Sequence, residues 1–298
     1  MAKKHSARKA PKKKPGTAKA KATPNPRAAA PTLSVPIFQV DAFTGRLFHG
    51  NPAAVVPLDK WLHTDTLQAI AAENNLAETA FFVADKPRAG VPRYSLRWFT
   101  PTMEIDLCGH ATLASAHVLW NHLGLKGTKV IFKSRSGDLP VSRRADLIEL
   151  DFPSRKGAPV PITDRITSAL GRVPVEAYKS RDLMLVFNNR RDVHELRPAM
   201  EALADLDCLG VIVTAPGSGH DFVSRFFAPR AGISEDPVTG SAHCTLVPYW
   251  ADRLRKKRVT GHQVSRRAGE LFCELRGKRV GIAGRAVTYL RGIIAVPA

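Results

Sequence analysis

The chain of 298 residues has few cysteines and no long apolar run. Its four cysteines are scattered and form no Cys-x-x-Cys pair, which disfavours a disulfide framework and favours free thiols in a reducing, cytoplasmic setting. No apolar run reaches the roughly 18 residues that a membrane-spanning helix needs. The N-terminus also lacks the apolar core of a secretory signal. Neither a membrane protein nor a small secreted domain is therefore expected.

The first 31 residues contain no acidic side chain. They carry ten of the 45 lysines and arginines, which leaves +9 of the formal net charge of +19 for the rest of the chain. Lysine, alanine and proline dominate this segment and give it little to bury, so residues 1–32 are predicted to be a disordered basic tail. Such a tail could contact nucleic acid weakly and without sequence preference, or act only as a solvated tail. The absence of aromatic residues among its cations disfavours a dedicated nucleic-acid-binding protein.

From about residue 33 onward the sequence is typical of a globular protein. Runs rich in β-branched and aromatic residues alternate with segments of helical periodicity, and the same order occurs twice. Four segments are predicted to be helical: residues 63–75, 109–124, 163–171 and 240–254. The first and third are short and occupy matching places in the order. The second and fourth are apolar and predicted to be buried, although Pro248 is expected to kink or shorten the fourth.

This repetition predicts an α+β fold of two pseudo-symmetric halves, residues 33–152 and 153–298. Each half is expected to be a curved mixed β-sheet, or barrel, wrapped around its central apolar helix, and the last strand could pair back with the first half. Ligands favour the seam between two such units, so the site is expected in the cleft.

Three ordered stretches give a more specific signal: NNLAETAFF at residues 74–82, RWFTPTMEIDLCGHATLA at 97–114 and EDPVTGSAHCTLVPYW at 235–250. They resemble the PhzF family, the phenazine-biosynthesis isomerase-like proteins, whose fold is similar to that of diaminopimelate epimerase. The resemblance covers all of the chain except the tail. It implies two similar halves with the active site between them.

The resemblance implies a catalytic acid/base at Glu78 and supporting polar residues at His110, Asp236 and Ser241. The implied activity is that of an isomerase that moves a proton on a small unsaturated or amino/hydroxy carboxylic acid. It needs no cofactor, and the family implies a homodimer. The sequence does not identify the substrate.

The local sequence supports these residues without the family. Glu78 opens a strand of alanine and phenylalanine, and a carboxylate beside apolar side chains is suited to take and return a proton. Gly109 and Gly240 precede the two predicted apolar helices, whose free N–H groups favour an anion such as a substrate carboxylate. These glycines are therefore candidate substrate-binding residues.

Each candidate also has a purely structural interpretation. Glu78 could lie at a strand edge and face water, and His110 could be a buried structural histidine. Asp236 and Ser241 could cap the second apolar helix, and the glycines could serve turn geometry alone. His110 and His117 lie seven residues apart on one helical face, but no further ligands follow at suitable spacing, so no metal site is predicted.

Two other functions remain as alternatives. Epimerases and racemases of the expected architecture use two facing cysteine bases, and Cys108 at the start of an apolar helix could be one of them. The second half offers Asp236 where the partner thiol would be expected, while Cys244 lies inside the helix, so Cys108 is interpreted as a small buried residue. The remaining alternative is a catalytically silent scaffold that binds a small molecule in the cleft.

Overall fold

A computed structural model describes Met1, residues 32–86 and residues 90–297 of the chain. Apart from Met1 and Thr32, the predicted basic tail lies outside these residues. The strands are β1 (Thr32–Ala42), β2 (Asn51–Leu58), β3 (Glu78–Ala84), β4 (Arg93–Phe99), β5 (Glu104–Ile105), β6 (Lys129–Ser134), β7 (Gly137–Arg144), β8 (Leu147–Pro153), β9 (Ala158–Pro159), β10 (Glu176–Lys179), β11 (Leu183–Val186), β12 (Val211–Pro216), β13 (Phe222–Ala228), β14 (Ile233–Asp236), β15 (Arg258–Gln263), β16 (Gly269–Arg276), β17 (Arg279–Gly284) and β18 (Ala286–Pro297). The helices are α1 (Thr64–Asn74), α2 (Gly109–Asn121), α3 (Asp164–Leu170), α4 (Arg190–Glu195), α5 (Met200–Ala204) and α6 (His243–Leu254), with a 3₁₀ turn at Pro229–Ala231.

The strands form one continuous, mixed hydrogen-bonded sheet in which one order of pairings occurs twice. In the first stretch β1 pairs antiparallel with β2, β2 parallel with β3, β3 antiparallel with β4, and β4 parallel with β6. In the second stretch β10, β11, β12, β13 and β15 pair in the same sequence of directions. Strand β8 joins the two stretches through antiparallel pairing with β17, and β18 returns to pair with β1. The fold is therefore α+β and dominated by its sheet.

The predicted match between the short helical segments 63–75 and 163–171 is wrong. Helix α1 connects β2 to β3, whereas α3 precedes β10 and connects no equivalent pair of strands. The equivalent of α1 is the segment of α4 and α5, which connects β11 to β12. The six and five residues of these helices are too short to give a clear helical period, which explains why the sequence pattern missed them.

Helix α2 is buried along its length, from Gly109 to Trp120. It packs against β1, β2, β3 and β8. Its two hydroxyl groups are satisfied within the helix, because Thr112 donates to the Cys108 carbonyl and Ser115 donates to the Ala111 carbonyl. A single cluster of buried apolar side chains includes residues of α2 and α6, so both helices contribute to one core.

Pro248 lies inside α6 and does not shorten it, since the helix continues to Leu254. A proline has no N–H to donate to the carbonyl four residues earlier, which here belongs to Cys244. The backbone N–H of Arg155 donates to that carbonyl at 2.8 Å. The expected break is therefore compensated by the chain that enters the second stretch.

Within the part of the chain that the structure describes, no helix has the length and apolar character required to cross a bilayer.

Candidate active site

The start of β3, the start of α2 and the end of β14 lie at the same place and bring the predicted acid and base residues together. Glu78 is the first residue of β3, and His110 is the second residue of α2. Asp236 is the last residue of β14, which belongs to the second stretch of the sheet. Side chains from chain positions nearly 160 residues apart therefore form one site.

Glu78 and His110 are in direct contact. The Glu78 Oε2 atom lies 3.0 Å from His110 Nε2, and the two side chains are about 10% and 5% exposed. On the other side of the ring, His110 Nδ1 lies 3.4 Å from the Cys108 sulfur. A buried carboxylate and imidazole at this distance can exchange or share a proton.

Asp236 is held beside this pair by hydrogen bonds. Its Oδ1 accepts from the Asn51 amide at 2.8 Å, and its Oδ2 accepts from the Thr239 hydroxyl at 2.5 Å. The Asn51 amide nitrogen also lies 3.2 Å from His110 Nδ1. We call Asn51, Glu78, Cys108, His110 and Asp236 the site cluster.

Several buried polar atoms of the site cluster have no hydrogen-bond partner among the described residues. These are Asn51 Oδ1, Glu78 Oε2 and His110 Nε2. The last two face each other at 3.0 Å as an ion pair and not as a hydrogen bond. Because buried polar groups are rarely left unsatisfied in proteins, such atoms mark a place where a polar ligand can bind.

The pKa values of His110, Asp236 and Cys108 are strongly perturbed. Burial lowers the pKa of His110, but the neighbouring Glu78 carboxylate and Cys108 sulfur outweigh it and hold that pKa well above its ordinary value. Burial raises the pKa of Asp236 to about 6, and the neighbouring Glu78 charge adds to this, while His110, Thr239 and Asn51 oppose it. Burial and Glu78 also raise the pKa of the Cys108 thiol to about 11. At neutral pH the cluster therefore favours a protonated imidazole and a protonated thiol.

Gly109 and Gly240 face each other across the two stretches of the sheet. A methyl group built on Gly109 would lie 3.6 Å from the Gly240 α-carbon. Neither glycine has a positive φ, so turn geometry does not require them. Gly109 is the first residue of α2, but Gly240 lies three residues before α6 begins, which corrects the prediction that it directly precedes the helix.

Ser241 makes its contact away from the site cluster. Its hydroxyl accepts a hydrogen bond from the Arg181 guanidinium at 3.1 Å, and Arg181 also pairs with the buried Asp182. Ser241 is adjacent in sequence to Gly240, so Arg181 brings a positive charge close to the facing glycines. The sequence pattern gives no signal for Arg181.

The site cluster also contains three potential metal ligands. A carboxylate oxygen of Glu78, the sulfur of Cys108 and a ring nitrogen of His110 lie within 4.8 Å of one another. Zinc accepts these donor types. However, His110 places Nε2 beside Glu78 and Nδ1 beside Cys108, which is an arrangement suited to proton transfer.

Comparison with known proteins decides the family. Residues 40–292 match the model of the PhzC-PhzF family, described as phenazine biosynthesis-like proteins. An uncharacterized isomerase of Pseudomonas aeruginosa is 48% identical over 262 residues, which cover 88% of this chain and 99% of that protein. Phenazine biosynthesis-like domain-containing protein 1 of Mus musculus is 41% identical over 286 residues, again covering 88% and 99%.

This chain belongs to the PhzC-PhzF family.

Solved structures agree with this assignment. A PhzF family protein of Enterococcus faecalis has a TM-score of 0.84 and 46% sequence identity, covering 88% of this chain and 99% of that one. A hydroxyproline epimerase from Agrobacterium vitis has a TM-score of 0.58 at 11% identity, covering 89% and 93%. The second likeness shows a common fold only. The predictions of a PhzF-like protein and of an enzyme of the isomerase class are confirmed.

Asn51 is a second residue of this PhzF-like site that the sequence pattern does not reveal. Asn51 occurs in the segment HGNPAAVV, whose Gly-Asn-Pro sequence indicates only a turn that leads into a strand. A fully buried asparagine at the start of an apolar strand is a signal that its amide has a specific partner. The identity of that partner, Asp236, could not be inferred because it lies 185 residues further along the chain.

Proposed function

We propose that this PhzF-like protein is a cofactor-independent isomerase that moves a proton on a small unsaturated or amino/hydroxy carboxylic acid. Glu78 acts as the single acid/base group. The observation that carries the proposal is the buried 3.0 Å contact between the Glu78 carboxylate and His110, two residues whose facing atoms have no hydrogen-bond partner among the described residues. The repeated strand order further supports the view that the two stretches are pseudo-symmetric halves, each built around its apolar helix.

The proposed reaction is a balanced proton shift. The Glu78 carboxylate removes a proton from carbon, and the electron pair of the broken C–H bond moves into the adjacent unsaturated or carboxyl-bearing system. The same carboxyl group then returns the proton to another carbon of that system and becomes a carboxylate again. General acid–base catalysis of this kind commonly contributes about 10²–10⁴-fold to the rate.

His110 and Asp236 support this step in the proposal. A protonated His110 stabilises the negative charge that develops on the substrate, because charge-assisted hydrogen bonds are strong in a buried site. Asp236 orients His110 or accepts a hydrogen bond from a substrate amine. Both roles are supported by the raised pKa of His110 and by the position of Asp236 next to the pair.

We infer that the substrate carboxylate binds at the facing glycines. Helix α2 begins at Gly109, where backbone N–H groups are free to bind an anion. The Arg181 side chain, held by Ser241 next to Gly240, adds positive charge nearby. A carboxylate in this place would bring the adjacent carbons within reach of Glu78.

The cysteine-dependent racemase is the less favoured alternative. Its mechanism needs a thiolate on each face of the reacting carbon, and a thiol with a pKa of about 11 carries little thiolate at neutral pH. The second helix provides Cys244, which is buried but is not part of the site cluster. A single thiol therefore argues against two-base racemisation.

A screen in heavy water tests the proposed function. A panel of small unsaturated, amino and hydroxy carboxylic acids is incubated with the protein in D₂O, and NMR follows both deuterium incorporation and isomerised product. We expect at least one acid to react with the wild-type chain and with a Glu73→Gln control, whose substitution lies on the surface of α1. The Glu78→Gln variant should be inactive towards the same acid. Equal reaction by Glu78→Gln, or tight binding of an acid with neither isomerised product nor deuterium incorporation, would contradict the proposal.

A further inference from the structure

Asn51 is fully buried at the first position of β2. The preceding residue, Gly50, has a φ of +65°, and a methyl group built on it would lie 2.2 Å from the Ala42 carbonyl oxygen. Pro52 follows and fixes the backbone on the other side. The local chain thus fixes the direction of the Asn51 side chain.

The Asn51 amide makes its hydrogen bonds with the other stretch of the sheet. Its Nδ2 group donates to Asp236 Oδ1 at 2.8 Å and to the Val238 carbonyl at 2.9 Å. These two bonds use both amide hydrogens, and the third close atom is His110 Nδ1 at 3.2 Å. A rotated amide would place Oδ1 against two oxygen acceptors, so this orientation of the amide is strongly favoured.

A second connection holds the backbone next to Asn51. Arg267, from the second stretch, donates to the Gly50 carbonyl at 2.8 Å, to the His49 carbonyl at 2.9 Å and to the buried Asp41 carboxylate at 2.7 Å. The Gly50 N–H donates to the Ala268 carbonyl at 2.7 Å. The turn that carries Asn51 is therefore fixed by four hydrogen bonds that cross between the two stretches.

We propose that Asn51 is a positioning residue that connects the two stretches of the sheet and holds the Asp236 carboxylate beside His110. It does not touch the reacting atoms. It fixes Asp236, the residue of the second stretch that lies beside His110. The acid–base residues are therefore aligned only when the two stretches are together. This inference rests on the proposed function for its catalytic meaning, but the positioning itself can be measured without a substrate.

The test uses the titration of His110 in the whole chain. The ¹⁵N signals of the histidine rings are followed by NMR from about pH 5 to 10, and His110→Gln identifies the His110 signals by their loss. The Asn51→Ala variant removes the hydrogen bond that stabilises the charged form of Asp236, so Asp236 is protonated more readily. Less negative charge then faces His110. We expect the His110 midpoint to fall by about half a pH unit or more.

Asn51→Asp is the second variant, because it keeps the shape of the side chain and adds a carboxyl group beside Asp236. The added negative charge should move the His110 midpoint in the opposite direction, upward by about half a pH unit or more. The matched control is Asn121→Ala, which removes an asparagine amide 2.9 Å from His117 Nδ1, outside the site cluster. It should leave the His110 midpoint unchanged.

Turnover provides the second readout, with the acid found in the D₂O screen. We expect Asn51→Ala to lower kcat by about 10- to 100-fold and to change KM by less than about threefold, because alignment is lost while the carboxylate-binding glycines remain. Asn51→Asp should regain activity towards low pH, where one of the two carboxyl groups is protonated.

Opposite shifts of the His110 midpoint support the positioning role, even if the screen finds no substrate and the proposed function fails. An unchanged His110 midpoint in both folded variants overturns it, whatever the turnover. If Asn51→Ala does not fold, Asn51→Leu, which keeps a side chain of similar size but has no amide donor, replaces it with the same expected fall of the midpoint.

Discussion

At the scale of the residue, burial of a carboxyl group makes stability depend on pH. The pKa of Asp236 is raised from 3.8 to about 6, mainly by burial. The folded protein therefore binds this proton more tightly than the unfolded chain does, and the contribution of Asp236 to the free energy of unfolding falls as the pH rises from about 4 to 6.

We predict that Asp236→Asn gains stability relative to the wild type across this window. The Tm of the variant minus the Tm of the wild type should increase from pH 4 to 6 and stay constant above about pH 7. Calorimetry at a series of pH values measures it, with the exposed Asp59→Asn as control. A difference that is constant over the whole range would show that Asp236 does not titrate as described.

Cys108 gives the second prediction at this scale. It is 6% exposed, its sulfur lies 3.4 Å from His110, and its thiol pKa is raised to about 11 by burial and by Glu78. Cys108→Ser should therefore retain most of the turnover, within about tenfold of the wild type. Kinetics of the variant with the acid identified in the screen check this. Inactivation in step with alkylation of Cys108 would instead favour the racemase mechanism.

Single residues differ in how far the sequence could predict them. Glu78, His110 and Asp236 were predicted as site residues because each occurs in a motif that resembles the family, and the structure brings the three side chains together. Asn51 and Arg181 were missed, because their partners lie 185 and 60 residues away in the sequence. A local sequence pattern predicts which face of a strand is apolar, but it does not predict which distant side chain a given residue contacts.

At the scale of the element, long periodic segments were predictable and short ones were not. The apolar helix at Gly109 begins where the sequence places it, because a run of small and apolar residues gives a clear signal. The start of α6 was misplaced by three residues, since Gly240, Ser241 and Ala242 form a tight turn that has no period of its own. Helices α4 and α5 were missed because each has at most six residues.

The turn before β2 gives a prediction at this scale. Alanine at Gly50 must adopt a φ of +65° and also place its methyl group 2.2 Å from the Ala42 carbonyl oxygen. Gly219 also has a positive φ, of +84°, but nothing lies within 4 Å of a built methyl group. Gly219→Ala should cost about 1 kcal/mol of stability for the backbone conformation alone. Gly50→Ala should cost at least about twice as much, as measured by urea unfolding, and equal losses would contradict the structure.

At the scale of the whole molecule, the charge is divided unequally. Ten basic residues and no acid lie within residues 1–31, outside the described fold, while the remainder carries +9. The high net charge therefore says little about the reaction. The contact of this segment with nucleic acid, the homodimer and the cytoplasmic location remain predictions.

We predict that deletion of residues 1–31 leaves turnover unchanged within about twofold. The same deletion should weaken retention on a DNA column, and the retention of the full chain should fall steeply with salt because it depends on counterion release. Salt-gradient chromatography and kinetics of both forms measure these effects. A large loss of turnover in the truncated chain would mean that the tail contributes to the site.

The central claim is that one carboxyl group, Glu78, both removes and returns the proton. It is tested most directly with the identified acid carrying deuterium at its labile carbon, reacted in ordinary water and followed by mass spectrometry of the product. Because Glu78 is buried between the two stretches of the sheet, the account predicts that the wild-type product keeps part of the deuterium at its new carbon, and that Glu78→Gln forms no product. Product without any deuterium, or turnover by Glu78→Gln at a rate close to that of the wild type, would contradict it.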